Sequence, residues 1–398
     1  MDACAIIVPR SAYPAGLIMR IIIFSGNGGS GVSTLAAATA VASARAGRRT
    51  LAFGLGPGLG HAFDGSLSAK PSRISDNLDA VEGHRRGADD EFRDWLGQLL
   101  QWRGMDAGLA DDLAALPGMN HVGRLLDLQS HMASEKHDVI VVDGAPLAQF
   151  LDLPAALDAA ARWLERIFAP RQSNVFEPFL RVFAGDYATA GEDVLERGRE
   201  LLGRLADLRD DFGDPEVTSV RIVLAADAPS VYAAGQALSA LSLFSYGVDA
   251  LIVNKVLPDG VSDPLFHAAR DEHQQTLRSI RETVAPLPVL AVDMRSPPPR
   301  GTEALASLAD AVYAERDPLG IWHKGPEHTL SLAGSQYVMN VALPLARKED
   351  IRLEQTDSGV IVHLNGHRCV LPLPREARFY ENASWAYDGG VLRVTFER

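Results

Sequence analysis

The feature that most constrains this chain is a glycine-rich segment between an apolar run and an alanine-rich run. Residues 26–34 read Gly-Asn-Gly-Gly-Ser-Gly-Val-Ser-Thr. Residues 21–24 are all apolar and predict a buried strand, whereas residues 35–46 predict a helix. A strand, a glycine-rich loop and a helix in this order form the context of the phosphate-binding motif G-x-x-x-x-G-K-[ST]. The segment therefore predicts an α/β fold with an anion-binding loop.

The loop keeps the glycines of this motif and lacks its cation. Gly26 and Gly31 occupy the two glycine positions and Ser33 the Mg²⁺-ligand position, but Val32 stands where the motif has lysine. Backbone N–H groups can still surround a phosphate, because this depends on glycine and on the helix N-terminus. The charge that would neutralise the β- and γ-phosphates is missing. The loop is shaped for a nucleotide and poorly equipped to hydrolyse one.

Three further segments predict strands that bring polar groups to a sheet edge. Residues 137–146 read His-Asp-Val-Ile-Val-Val-Asp-Gly-Ala-Pro and predict a buried parallel strand that ends at Asp143. Residues 221–227 and 249–255 predict two more, the second ending Val-Asn-Lys. Nucleotides bind at the carboxyl edge of open parallel sheets, so we expect Asp143 in the site. The alternative is that Asp143 caps a turn at the strand end.

Together these segments resemble the arsenite-pump and tail-anchored-protein targeting ATPases over residues 19–318. The family pattern is G-K-G-G-x-G-K-[ST]-T, and its two lysines are replaced here by Asn27 and Val32. Asp143 matches the Asp of the family's switch II, and Asn254 matches an Asn that pairs with adenine. The resemblance implies a doubly wound, mostly parallel sheet that binds ATP or ADP with Mg²⁺.

The same resemblance implies a role for each residue of the site. Residues 288–293 and 301–305 resemble the family's last strand, adenine loop and closing helix. Ser33 would contact Mg²⁺, Thr34 the α-phosphate, and backbone N–H groups the other phosphates, with Asp143 as the catalytic candidate. The predicted nucleotide-binding residues are Gly26, Asn27, Gly28, Gly29, Ser30, Gly31, Val32, Ser33, Thr34, Asn254 and Asp293.

Switch I departs from the family as strongly as the loop does. Where relatives carry Asp-Pro-Ala-His-Ser, residues 53–63 place Gly54 at the position of the water-polarising Asp. His61 is the titratable group nearby in sequence, and a surface histidine is its commoner role. Losing one group that stabilises developing charge costs on the order of 3 kcal/mol, about a hundredfold in rate. With two lysines and one carboxylate absent, we expect slow hydrolysis or none.

The C-terminal part changes to short alternating apolar segments, at 337–344, 359–364, 368–374 and 390–396. Turns of Asp-Ser-Gly, Asn-Gly and Asp-Gly-Gly separate them, which predicts an antiparallel β-sandwich over residues 328–398. The order of these segments resembles the α-crystallin domain of small heat-shock proteins. The chain stops at Arg398 without an I-x-I tail, so packing within the molecule or a dimer is expected.

The charge and amino-acid composition of the chain disfavour several classes of binding partner. A formal net charge of −13 over 398 residues disfavours nucleic acid and acidic membranes, and no apolar run approaches the ~18 residues of a membrane span. A cytoplasmic protein is therefore expected. Residues 1–18 make a poor signal peptide and predict a disordered or misassigned leader before Met19. Cys4 and Cys369 form no C-x-x-C pair, so the zinc clamp of the targeting ATPases and a thiolate site for arsenite are not expected.

A helical insertion is predicted over about residues 155–220, where the family handles its clients. Apolar residues at helical spacing over 163–183 and 195–208 predict either a groove for a hydrophobic helical or lipidic client or a helix pair packed on itself. Members of the resembled family form homodimers in which the two glycine-rich loops face each other, and the resemblance therefore implies a homodimer here. Three functions stay open: a nucleotide-binding, weakly hydrolysing client handler; an active ATPase with groups from the partner subunit, such as Arg45, Arg48 or Arg49; and a scaffold without nucleotide.

Overall fold

The computed structural model describes residues 4–5, 19–82, 88–102, 104–114, 122–158, 162, 192–325, 328–356, 359–374, 377 and 382–397. The predicted client-binding stretch 163–183 and most of the predicted leader lie outside the described residues. The strands of the first part are β2 Arg20–Gly26, β3 Thr50–Gly54, β4 Ser72–Ser75, β5 Leu78–Glu82, β6 Val139–Pro146, β7 Thr218–Ala225, β8 Val248–Val256 and β9 Val289–Asp293, and β1 Cys4–Ala5 precedes them.

One large sheet organises residues 19–293. In the described part of the chain it has eight strands in the order β4-β5-β3-β6-β2-β7-β8-β9. All neighbours are parallel except β4, which runs antiparallel to β5. The mostly parallel sheet predicted from the apolar strands is confirmed. Its parallel strands bring their carboxyl ends to one edge, where the site residues were expected.

Helices cover both faces of this sheet. They are α1 Val32–Arg45, α2 Leu59–Ala62, α3 Ala88–Trp102, α4 Leu109–Ala114, α5 Val122–Ala133, α6 Leu147–Phe150, α7 Glu192–Gly213, α8 Ala228–Leu243, α9 His267–Val284 and α10 Gly301–Tyr313. Successive side chains of β2 point to opposite faces of the sheet. Ile21 and Ile23 pack with the helices of one face, whereas Ile22 and Phe24 pack with α1 and α10 on the other. Among the described helices, none has the length and apolar composition to cross a bilayer.

The C-terminal part is an antiparallel sandwich. Its strands are β10 Thr329–Ala333, β11 Gln336–Ala342, β12 Ile351–Thr356, β13 Gly359–Leu364, β14 His367–Pro372, β15 Asn382–Asp388 and β16 Val391–Glu397. Within the described residues they form one sheet of order β1-β10-β11-β16-β15 and another of order β12-β13-β14. Alternate apolar residues of both sheets, such as Val341, Val362 and Val394, are fully buried between them. The sandwich predicted from the turn pattern is confirmed.

The sandwich packs directly on the end of α8. Ser242 donates its hydroxyl hydrogen bond to the Ala342 carbonyl at 2.7 Å. His328 lies between the two parts: its Nδ1 accepts from the Ala342 N–H at 3.2 Å, and its Nε2 donates to the Leu243 carbonyl at 3.3 Å. Burial lowers the pKa of His328, which favours the neutral ring that this pattern requires.

Candidate functional site

The glycine-rich loop joins the end of β2 to the start of α1. Gly31, at the N-cap, has φ 98° in the left-handed region that glycine tolerates. The Ser30 N–H donates back to the Asn27 carbonyl at 3.0 Å, and the Leu35 N–H donates to the Gly31 carbonyl at 3.0 Å. The helix has no side-chain cap and no acidic residue in its first turn. Its first N–H groups and its positive end are therefore available to an anion.

Close packing explains why the motif glycines are needed. A Cβ at Gly26 would overlap the Val223 carbonyl of β7, and one at Gly31 would overlap the amide nitrogen of Asn254 from β8. At Gly28 and Gly29, in contrast, a Cβ would meet no atom within 4 Å. The inner side of the loop is thus locked onto the sheet, while its outer side faces open space.

Ser33 and Asp143 meet at the N-terminus of α1. The Ser33 hydroxyl is hydrogen-bonded to the Asp143 carboxylate, which is 3% exposed. Burial raises the pKa of Asp143 to about 7, the hydrogen bond from Ser33 opposes this, and the charge of Glu82 adds to it. A Cβ at Gly58 would fill the space beside both groups, 3.2 Å from Asp143 Oδ2. A hydroxyl and a carboxylate oxygen are hard donors, so these residues fit a Mg²⁺ ion.

Glu82 is a buried carboxylate at this edge that the sequence patterns did not single out. Its Oε1 accepts from the Gly58 N–H at 2.9 Å and from the Gly60 N–H at 2.7 Å. Gly54 stands between the two carboxylates in register, paired with Glu82 on β5 and with Asp143 on β6. A Cβ at Gly54 would lie 3.2 Å from Glu82 Cγ. The strand that carries Glu82 reads Leu-Asp-Ala-Val-Glu, so Asp79 interrupts it and it lacks the continuous apolar run that pointed to Asp143.

The end of β8 reaches over the loop from the other side. Asn254 donates from Nδ2 to the Ser30 carbonyl at 2.8 Å, and its Oδ1 accepts from the Lys255 N–H at 2.9 Å. Lys255 donates from Nζ to the Gly29 carbonyl at 2.6 Å. The amide of Asn254 keeps one N–H and one lone pair beyond these bonds. Lys255 was not predicted as a site residue, because its position in the sequence does not reveal this contact.

The remaining predicted residues are more scattered. Asn27, Val32 and Thr34 lie half-buried in the loop and the first turn of α1, and Asp293 is exposed at the end of β9, the third strand from β2. His61 is exposed at the end of α2. The structure therefore brings together the loop, Asp143 and Asn254, and leaves Asp293 and His61 at the margin.

The arginines considered as trans-acting groups lie at the far end of α1. Arg45 pairs with Asp310 at 3.0 Å, and Arg49 pairs with Asp138. Because α1 has 14 residues, it separates them from the loop by about 21 Å. They do not reach the loop of their own chain.

Comparison with known proteins agrees with this architecture. The anion-transporting ATPase family matches residues 19–314, and the HSP20-like domain found in ArsA matches residues 334–396. A putative arsenical pump-driving ATPase of Chlorobaculum tepidum is 26% identical over 392 residues, which cover 95% of this chain and 96% of that protein. A putative arsenical pump-driving ATPase 1 of Aquifex aeolicus is 27% identical, with 91% and 96% covered.

A further relative matches a smaller share of this chain. The ATPase get3 of Schizosaccharomyces japonicus is 24% identical over 304 residues, which cover 73% of this chain and 92% of that protein. The family match spans well over half of the chain and contains the loop, Asp143 and Asn254. The chain belongs to the anion-transporting ATPase family and carries the HSP20-like domain found in ArsA.

Proposed function

We propose that this chain binds ATP or ADP with Mg²⁺ at the glycine-rich loop and hydrolyses ATP slowly or not at all. Membership of the family implies nucleotide binding. One observation carries the proposal: the loop leads through left-handed Gly31 into a helix N-terminus without a side-chain cap, while Asn27, Val32 and Gly54 occupy the positions of two lysines and a carboxylate in the family pattern.

The contacts of the loop support phosphate binding through the backbone. Apart from the Ser30 N–H, which is bonded within the loop, the N–H groups at residues 28–33 and the N-terminus of α1 offer donors and positive potential, and the first turn of the helix itself carries no acidic residue. The Ser30 hydroxyl is buried and lacks a hydrogen-bond partner among the described residues, so it has capacity for a ligand. Thr34 would contact the α-phosphate and Asn254, through its remaining donor and acceptor, the adenine. Asp293 would border the base.

Magnesium would be held by Ser33 with support from Asp143. When bound, the ion would supply positive charge against the phosphates of the nucleotide. Asp143 has to be ionised to support the ion, so its raised pKa makes Mg²⁺ binding stronger as pH rises through about 7. The two lysines of the family pattern are replaced by Asn27 and Val32, so neither position carries a positive charge.

The arrangement of carboxylates argues for slow turnover. Gly54 supplies no side chain to orient the attacking water. Glu82, the neighbouring carboxylate, uses one oxygen to hold the backbone at Gly58 and Gly60. A carboxylate committed to loop geometry is poorly placed to position water as well. We therefore assign Glu82 to the shape of this loop and not to proton transfer.

Calorimetric titration with Mg²⁺-ATP and Mg²⁺-ADP, followed by a phosphate-release assay, tests the proposal. We expect weak binding of both nucleotides and turnover well below about 1 s⁻¹. No heat of binding with either nucleotide would favour the scaffold without nucleotide. Turnover of about 1 s⁻¹ or more would favour an active ATPase that takes its missing groups from a partner subunit.

We also infer that the chain acts in the cytoplasm as a homodimer that handles a hydrophobic helical or lipidic client. The support is the family itself, whose members include the ATPase get3, together with the apolar series at 163–183. The two cysteines, Cys4 and Cys369, form no C-x-x-C pair, so we expect the dimer to close without a zinc clamp. Light scattering with and without nucleotide measures the assembly, and a monomer at micromolar concentration in both states would contradict it.

A further inference from the structure

Strand β8 is irregular where it meets the glycine-rich loop. It pairs with β9 at Val253–Ala291 and again at Val256–Asp293, so three steps along β8 match two along β9. The extra residue falls within Asn254 and Lys255. Lys255 has φ 58°, a left-handed conformation that a non-glycine residue rarely adopts. A bulge of this kind re-aims side chains and is common beside functional sites.

The bulge directs two consecutive side chains at two consecutive carbonyls. Asn254 donates to Ser30 O at 2.8 Å and Lys255 donates to Gly29 O at 2.6 Å. The Lys255 N–H donates to Asn254 Oδ1 at 2.9 Å, which fixes the orientation of the amide. The unusual backbone therefore has a structural result: both loop carbonyls are tied to the sheet from one side.

We propose that Asn254 and Lys255 form a clamp that holds the glycine-rich loop in its phosphate-binding shape, and that Lys255 gives the site the positive charge that Val32 does not. The charge role rests on the proposed nucleotide binding, because it acts on an anionic ligand. The clamp role does not, because its bonds are made to the loop itself.

A loop of this composition needs such a clamp. Four of its first six residues, 26–31, are glycine, and glycine loses more conformational freedom on ordering than any other residue. Outward-facing Gly28 and Gly29 have no packing neighbour at the Cβ position. With the motif lysine replaced by Val32, the loop has no lysine of its own to anchor it. The two side chains from β8 supply the missing restraint.

The charge of Lys255 is available to a ligand. Lys255 is solvent-exposed, and within the described part of the chain its side chain contacts a carbonyl and no carboxylate. The chain carries a formal net charge of −13, so a local cation beside the loop matters for attracting a polyphosphate. An ammonium on a four-carbon stem can shift from the Gly29 carbonyl to a phosphate oxygen without backbone movement.

Hydrogen exchange in the protein without nucleotide tests the clamp. Lys255→Met keeps the stem and the left-handed backbone and removes the ammonium, whereas Asn254→Ala removes the other bond. Each should raise exchange at the hydrogen-bonded amides of Ser30 and Leu35 by about tenfold or more and leave the rest of the large sheet unchanged. Lys136→Met is the matched control, because Lys136 is exposed near the amino end of β6, at the opposite edge. Unchanged exchange in both variants would overturn the clamp.

Calorimetric titration of Mg²⁺-ATP and Mg²⁺-ADP at 50 and 300 mM salt tests the charge. We expect Lys255→Met to weaken binding about tenfold and to flatten its salt dependence, Lys255→Arg to retain most of both, and Lys136→Met to behave as the wild type. Equal affinity and equal salt dependence in Lys255→Met would overturn the charge role. Absence of binding in the wild type would overturn the proposed function and the charge role with it, and the exchange result would still decide the clamp.

Discussion

Two polar clusters on the large sheet are built in opposite ways. Arg221 on β7 is fully buried, and it donates to Asp249 Oδ1 at 3.0 Å and to the Pro318 carbonyl at 2.8 Å. Its guanidinium also lies 4.2 Å from the ring centroid of Trp322 and donates to the Tyr313 hydroxyl. A buried charge is tolerated when it is paired and hydrogen-bonded throughout, and this cluster meets that condition.

The edge of the large sheet beside the glycine-rich loop, here called the loop edge, is built in the opposite way. The Ser30 hydroxyl is buried without a partner in the described part of the chain, Lys255 holds a left-handed backbone, and Asp143 is buried enough to raise its pKa to about 7. Each of these features is unfavourable in a protein that has only to stay folded. The polar groups of the Arg221 cluster are paired with one another and need no ligand, as expected of a cluster that stabilises the fold. At the loop edge, polar groups stay unpaired without a ligand, as expected of a binding site.

Removing Arg221 should have the largest effect. Arg221→Met leaves Asp249 buried without its main counter-charge, so we expect a loss of about 3–5 kcal/mol in the free energy of unfolding. Urea denaturation measures it. The double variant Arg221→Met/Asp249→Leu should recover part of this loss, because the unpaired charge is removed. A loss below about 1 kcal/mol in the single variant would show that the cluster contributes no more than a surface pair.

Asp143→Asn should give a smaller effect that depends on pH. The pKa of Asp143 is about 7 in the folded protein and lower when unfolded, so the folded state binds its proton more tightly. The stabilisation this provides is present below about pH 4 and is lost as pH rises through 7. We therefore expect the variant to gain a few kcal/mol over the wild type at pH 8 and little at pH 4.5. Urea denaturation at both pH values measures this, and equal differences would contradict it.

Only part of the loop edge could be predicted from the sequence. The loop and Asp143 follow short-range rules: an apolar strand followed by glycines, and an apolar strand ending in a carboxylate. Glu82 and Lys255 could not be assigned in this way. Glu82 reaches the site because β3 lies between β5 and β6, and Lys255 because a bulge turns it towards the loop. Strand order and backbone irregularity are long-range properties that local periodicity does not contain.

The packing of the sandwich on α8 was not predicted either. The turns and alternation predict the sandwich, but the surface that it covers depends on side chains from both parts, Ser242 and His328 among them. These are isolated polar residues with no pattern of their own in the sequence. Folds are encoded in periodicity, whereas docking between folded parts depends on individual contacts.

Restoring the motif lysine at position 32 tests whether the loop edge lacks a charge that a nucleotide needs. Val32→Lys should tighten Mg²⁺-ATP more than Mg²⁺-ADP, by about 1–2 kcal/mol or roughly tenfold, because the new charge lies near the β- and γ-phosphates. Titration with both nucleotides measures this ratio. Turnover should stay low, since Gly54 still supplies no carboxylate. Equal tightening of both nucleotides would place the new ammonium away from the γ-phosphate, and a large rise in turnover would contradict the role given to Gly54.

Arg45→Ala should have the smallest effect, although it also breaks an arginine–aspartate pair. The side chains of Arg45 and Asp310 are 54% and 66% exposed, whereas those of Arg221 and Asp249 are fully buried. Water and salt screen the exposed pair, so we expect a loss of about 0.5 kcal/mol or less in the free energy of unfolding. Nucleotide affinity should not change, because α1 separates Arg45 from the loop of its own chain by about 21 Å. If the variant stays stable but loses ATP affinity or turnover, Arg45 must act across a dimer interface, and the active ATPase with trans-acting groups would replace the slow enzyme proposed above.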